Sequence, residues 1–211
     1  MNRSNWLRIG AAAIAAMSLM PACLNKTKDS GKGAGASTPN AGAVKVELFV
    51  MSQCPYGVKA LDAIVPALEK FGNDVDLRID YIGSGADPNN LSSMHGPKEV
   101  AGDIAQLCAL KVAPKAHRKF IACVNKDWHS IPDNSATCAT EAGIDAAKFK
   151  ACTDGADGKS LLAASFKRSE ESKAQGSPTI KIGGKDYEGP RGPADIMRAV
   201  CGAYGDKKQP A

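Results

Sequence analysis

From Val44 onward, apolar side chains recur at a spacing of two, then of three to four, then of two again. Val44 to Met51 is a short apolar run of strand length, and it predicts a first strand. Pro55 to Phe71 places Val58, Leu61, Ile64, Val65 and Leu68 on one helical face, with proline in the first turn where its missing N–H costs nothing. Val75 to Ile82 alternates cleanly and predicts a second strand. Residues 83–97 are rich in Gly, Pro, Asn and Ser and read as a loop. Helical spacing then returns at Glu99 to Leu110, Pro114 to Val124, Ser135 to Ala142, Ala146 to Cys152 and Lys159 to Lys173, with Gly143, Gly155 and Gly158 as punctuation. Thr179 to Ile182 and Lys185 to Tyr187 flank Gly183-Gly184, a strong hairpin signal. Ala194 to Tyr204 closes the domain as a helix. The expected architecture is α/β: a central mixed sheet built βαβ, a helical insertion at about 99–174, then ββα.

The chain ahead of this domain has a different character. Arg3 and Arg8 precede a twelve-residue apolar stretch, Ile9 to Met20, which is too short to span a bilayer but suits a secretion signal. It ends in Leu19-Met20-Pro21-Ala22-Cys23, which resembles a bacterial lipoprotein box, so residues 1–23 are expected to be a leader with Cys23 as the lipidated residue. Ordinary cleavage near Ala22 is the alternative. Residues 24–43 are rich in Gly, Ser, Thr and Lys and have little to bury, the composition of a flexible tether. Residues 205–211 read as a disordered tail. A signal, an acylated cysteine, a tether and one domain (44–204) describe a membrane-anchored envelope protein on the extracytoplasmic, periplasmic side of a bacterium. Leu24 after the lipid cysteine favours the outer membrane where a cell has two.

Composition narrows the chemistry. The net charge is +5 and aromatics make up 5% of the chain. No basic stripe is interleaved with aromatics, so nucleic acid is not an expected partner. Setting Cys23 aside leaves Cys54, Cys108, Cys123, Cys138, Cys152 and Cys201. Six cysteines in a secreted domain imply disulfides whose pairing the sequence does not choose. Zinc fits poorly, since no two sit at Cys-x2-Cys spacing, and neither a metal nor another cofactor is expected. With Cys54 reserved for chemistry, two bridges among Cys108, Cys123, Cys138, Cys152 and Cys201 leave one cysteine as a candidate resolving thiol.

Cys54 is singled out by its place. The first strand runs almost directly into Cys54-Pro55-Tyr56-Gly57, and the helix follows at once. A cysteine at a helix N-terminus faces unpaired N–H groups and the positive end of the dipole, and both favour thiolate. A strand ending in Cys-Pro and turning into a helix resembles the thioredoxin-like fold. Gly176-Ser177-Pro178-Thr179, just before the hairpin, stands where that fold carries a cis-proline facing the reactive cysteine. Ser177 and Pro178 are therefore the expected substrate groove, and Pro55, Tyr56 and Gly57 the active-site loop. The usual second cysteine of Cys-x-x-Cys is Gly57 here, which should leave space beside the sulfur.

A second stretch makes the resemblance specific. Ser93-Met94-His95-Gly96-Pro97-Lys98-Glu99-Val100, with Asp103 and Cys108, resembles the signature of the gamma-interferon-inducible lysosomal thiol reductase family. His95, Gly96, Glu99 and Cys108 fall at its spacing. Ser93 and Val100 replace two cysteines and Asp103 an asparagine. Cys123, the Cys138 to Cys152 segment and the Gly158-Lys-Ser-Leu-Leu run follow the family's insertion, so the likeness covers most of residues 44–204. It implies a thiol oxidoreductase acting outside the cytosol, with Cys54 as nucleophile and disulfide- or thiol-containing proteins or small thiols as partners.

With one thiol, Cys54 can attack a disulfide and form a mixed disulfide that an external thiol must resolve. The competing expectation is a non-catalytic module that holds extended partners along the cis-proline groove. His95 is expected to cap or pack the loop, and Glu99 to be a first-turn carboxylate favoured by the dipole. Gly83-Ser-Gly85 lacks the third glycine of a dinucleotide loop, and Asp154 to Gly158 lacks the spacing of a calcium loop.

Overall fold

The computed structural model describes residues 38–205. Along these residues run β1 (Val44–Val50), α1 (Pro55–Leu68), β2 (Val75–Tyr81), α2 (Pro97–Val112), α3 (His117–Lys126), α4 (Ser135–Ala142), α5 (Ala146–Asp154), α6 (Ala156–Glu171), β3 (Thr179–Ile182), β4 (Lys185–Asp186) and α7 (Pro193–Tyr204). The leader with Cys23, most of the tether and all but Gly205 of the C-terminal tail lie outside the described residues.

The strands form one sheet in the order β2-β1-β3-β4. β1 is parallel to β2, from Val44 opposite Val75 to Val50 opposite Tyr81, and antiparallel to β3. β3 in turn pairs antiparallel with β4. The central place of β1 explains its near-continuous apolar sequence: Val46, Leu48, Phe49 and Val50 are all fully buried. α1 and α7 pack together against β1, and α7 also reaches β3, while α6 packs on β2 and against α2 and α5.

Asp80 falls on a polar position of the alternation in β2 yet is buried, for a reason the sequence hides. α6 staples the end of this edge strand with polar side chains. Ser165 Oγ accepts from the Tyr81 amide at 2.8 Å and donates to Asp80 at 2.9 Å, and Ser169 Oγ donates to the Tyr81 carbonyl. Arg168 clasps the buried Asp80 carboxylate through Nε at 3.0 Å and Nη2 at 2.6 Å. These contacts satisfy a strand edge that would otherwise be open.

α1 stops at Leu68, earlier than its apolar spacing predicts. The chain continues as a 3-10 segment, Glu69–Asp74, in which Gly72 takes φ 53°, a conformation that favours glycine. Phe71 remains buried all the same. Residues 40–43, read from composition as the end of the tether, form a turn pinned to this segment. The Asn40 amide donates to Asn73 O at 2.8 Å, and its Nδ2 to Asp74 Oδ1 at 2.7 Å.

Five helices, α2 to α6, lie between β2 and β3, and two disulfides cross-link four of them. Cys108–Cys152 joins α2 to α5, and Cys123–Cys138 joins α3 to α4. Cys201 is buried on the inner face of α7, within the main core.

Candidate active site

Cys54 is the N-cap residue of α1, with extended backbone angles of φ −88° and ψ 119°. Its amide donates to Met51 O at 3.1 Å, which closes a tight turn off β1. Its carbonyl accepts from the Val58 amide at 2.9 Å, which opens the helix. Pro55 holds the first helical position, and no acidic side chain stands in the first turn. Cys54 is the free cysteine among the described residues and is 9% exposed. Tyr56 beside it is 68% exposed, so it borders the site on the solvent side.

Ser177 closes the site from across the sheet. Its peptide bond to Pro178 is cis. Its carbonyl oxygen lies 3.6 Å from Cys54 Sγ, which donates to it, and its hydroxyl accepts from the Met51 amide at 2.9 Å. Gly57 is buried, not open as the sequence suggests. A Cβ built there would overlap Ser177 Oγ and come within 3.2 Å of Met51 O. The space beside the sulfur is filled.

The underside of the loop is held by side chains that sequence reasoning undervalued. Glu99, fully buried at the start of α2, accepts from the Gln53 amide at 3.1 Å, the His95 amide at 3.1 Å and the Ser93 hydroxyl. His95 Nδ1 lies 2.8 Å from the same carboxylate. Glu99 is thus a hub joining α2, the 83–96 loop and the residue before Cys54, which is more than a dipole-favoured first-turn charge. One turn on, Asp103 accepts from the Ser52 amide at 3.1 Å. Its other oxygen is buried without a hydrogen-bond partner. Burial pushes the Asp103 carboxyl well above the usual carboxylate range; hydrogen bonds from Ser52 oppose this and the nearby charge of Glu99 adds to it. Tyr81 lies close by, donating to Gln106 Oε1 at 2.6 Å, and burial pushes its phenol well above the usual range.

A second missed support comes from the insertion. Gln53 Nε2 donates to Ile131 O at 2.7 Å, and Ile131 precedes a second cis-proline, Pro132. The available signals were polar Ser52-Gln53 wedged between an apolar strand and a cysteine, and two acids one turn apart on a buried helix. His95 packs the loop through Glu99, with its side chain 37% exposed. Among the described residues no cluster of three His, Cys, Asp or Glu side chains could hold a metal ion.

Three-dimensional comparison places this architecture among thioredoxin-like proteins. MdbA, a thiol-disulfide oxidoreductase from Corynebacterium diphtheriae, matches with a TM-score of 0.62 at 14% identity, covering 85% of this chain and 100% of that one. Oxidised BdbD from Bacillus subtilis gives 0.59 at 17% identity, covering 81% and 95%. Reduced DsbA from Mycobacterium tuberculosis gives 0.58 at 19% identity, covering 82% and 91%. At these identities the likeness is one of fold. The chain is a thioredoxin-fold protein of the α/β class.

Within that class, the first half of the domain is similar to one family. The family model described as "Gamma interferon inducible lysosomal thiol reductase (GILT)" matches residues 45–142, from β1 through α4. The match takes in Cys54 and the Ser93 to Cys108 stretch, and it ends before α5, short of the span the motifs alone suggest. No curated protein matches the sequence.

Proposed function

We propose that the protein is an extracytoplasmic thiol–disulfide exchange protein that uses Cys54 alone. One observation carries the reading: a free cysteine caps α1 with its sulfur 3.6 Å from the carbonyl that precedes Pro178. Unpaired amides at the helix start and the dipole favour a thiolate at such a place. The thiolate attacks a substrate disulfide; the Cys54–substrate bond forms, the substrate's own bond breaks, and the second substrate sulfur leaves as a thiol. A thiol from the substrate protein or a small-molecule thiol then attacks the mixed disulfide and frees Cys54. Pro55, Tyr56 and Gly57 shape the loop, and Ser177 with Pro178 lines the groove for an extended partner. No cofactor takes part in this exchange.

Two features support an oxidising compartment. Cys108–Cys152 and Cys123–Cys138 are bonds of the kind that persist outside the cytosol. The basic, apolar leader ending at Cys23 supports secretion and a lipid anchor on the bacterial envelope, with the outer membrane favoured by Leu24.

Mass mapping after brief treatment with glutathione disulfide, and separately with iodoacetamide at pH 6, tests the chemistry. A glutathione adduct and fast alkylation at Cys54, both absent in Cys54→Ser, are expected. A Cys54 that stays unmodified while an unfolded control reacts removes the exchange function and leaves the binding module. Partner capture that is unchanged in Cys54→Ser points the same way.

A further inference from the structure

We propose that Ser177 enforces single-thiol chemistry by occupying the place that a second active-site side chain would need. The inference rests on the exchange reading above, but its physical basis is separate. Gly57 is three residues after Cys54, where a Cys-x-x-Cys pair would carry its second sulfur. In this chain the position is buried, and any Cβ on it would overlap the Ser177 hydroxyl oxygen. It would also crowd Met51 O at 3.2 Å and the Val50 side chain at 3.4 Å.

The hydroxyl is not free to move away without loss. It accepts the Met51 amide at 2.9 Å, in a part-buried setting at the end of β1. Turning it aside leaves that N–H without its acceptor, and a buried unpaired donor is unfavourable. The same residue's carbonyl receives the Cys54 thiol. Ser177 therefore touches all three corners of the loop: the strand end at Met51, the sulfur at Cys54 and the flank at Gly57. Gly57 and Ser177 form one interlocking pair, so restoring a cysteine at position 57 does not by itself restore a dithiol site.

The consequence is chemical. With the flank filled from inside the protein, a mixed disulfide on Cys54 is resolved by an external thiol approaching from the Tyr56 side, which faces solvent. The external thiolate attacks the mixed disulfide and forms a new disulfide with the substrate sulfur. Cys54 leaves as thiolate, and the protein gains and loses no electrons over the cycle.

The test compares Gly57→Cys with Gly57→Cys/Ser177→Ala, each equilibrated in glutathione redox buffers. The disulfide between Cys54 and the introduced thiol is quantified by mass after acid quenching. The double variant is expected to form it with an equilibrium constant about ten-fold larger, because only there is the flank vacated. Equal constants in the two proteins overturn the proposal.

A stability cycle gives the same answer without a new cysteine. Alanine ordinarily strengthens a helix relative to glycine, so Gly57→Ala should raise the melting temperature if the flank were open. It is expected to lower it, and to lower it much less in a Ser177→Ala background. Additive effects, or a gain in both backgrounds, overturn the interlock. Reaction of native Cys54 with glutathione disulfide is scored separately, so a failed exchange function and a failed interlock are told apart.

Discussion

The carboxylate of Glu99 accepts a hydrogen bond from the backbone amide of Gln53 at 3.1 Å, one residue before Cys54. A side chain far along the sequence from the thiol thereby fixes the loop that presents it. The same carboxylate also holds the His95 amide and the Ser93 hydroxyl, with no exposure to solvent. Glu99→Ala would leave several partly buried donors unpaired. The expected cost is about 2–4 kcal/mol of folding stability, read from urea midpoints, with Glu99→Gln losing less. Faster proteolysis within residues 83–96 should accompany it. A Glu99→Ala protein as stable as the native one would show that the hub is not what orders the loop.

Asp103 sits beneath the neighbouring residue and behaves differently. One oxygen accepts from the Ser52 amide, and the other is buried without a partner. Burial first, then the charge on Glu99, raises its carboxyl well above the usual value, against hydrogen bonds from Ser52 that lower it. In the folded protein the group holds its proton to higher pH than in the unfolded chain, where it titrates near about 3.9. The folded state therefore binds more protons across that window, and its stability declines as pH rises above about 4. Asp103→Asn keeps an acceptor for Ser52 and removes the titration. Its unfolding free energy should decline less than that of the native protein between acid and neutral pH. Parallel slopes for the two proteins would refute the assignment.

The strands and most helices were legible because burial imposes periodicity on them. Ser135–Ala142 and Thr179–Ile182 match the spacing-based reading residue for residue. α1 ran short because Phe71 is apolar and buried yet belongs to a 3-10 turn around Gly72, and periodicity does not register a backbone reversal. The site was legible where it is local, in the run from Cys54 to Gly57. It was not legible where it depends on distant partners. Glu99 reads as a helix-start charge until Gln53 and His95 are seen against it. Gly57 reads as open space until the fold brings Ser177 onto it from the far end of the domain. Short-range patterns encode which residues are buried, not what buries them.

The two described disulfides should differ in strength and in ease of reduction. Cys108–Cys152 closes a separation of 44 residues, and Cys123–Cys138 one of 15. Chain-entropy reasoning gives the longer loop about 4 kcal/mol and the shorter about 3 kcal/mol. Paired Cys→Ser replacement should therefore destabilise more at 108 and 152. Cys108 and Cys152 are buried, whereas Cys123 is only partly covered and near the exposed Glu141 carboxylate. Graded dithiothreitol followed by mass mapping should open Cys123–Cys138 first. Reduction in the opposite order would contradict the burial argument.

His117 predicts the response to acid. It starts α3, is almost entirely buried, and burial lowers it from its ordinary 6.5 to about 4, only partly offset by a backbone hydrogen bond to Gln106. Between these values the unfolded chain takes up a proton that the folded protein refuses. Stability therefore rises with pH through the window and falls on acidification from about 6.5 toward 4. The full effect is roughly 3 kcal/mol, since each tenfold change in proton affinity corresponds to about 1.36 kcal/mol. Asp103 acts with the opposite sign, so the two must be separated by substitution. His117→Gln removes the imidazole titration, and its urea midpoint should lose less between pH 7 and pH 4 than that of the native protein. The variant sits at the edge of the groove lined by Leu110, Pro114 and Arg118, far in sequence from Cys54, so alkylation of Cys54 at pH 7 should be unchanged. Identical acid sensitivity in native and His117→Gln proteins would mean that the buried ring is protonated in the fold after all.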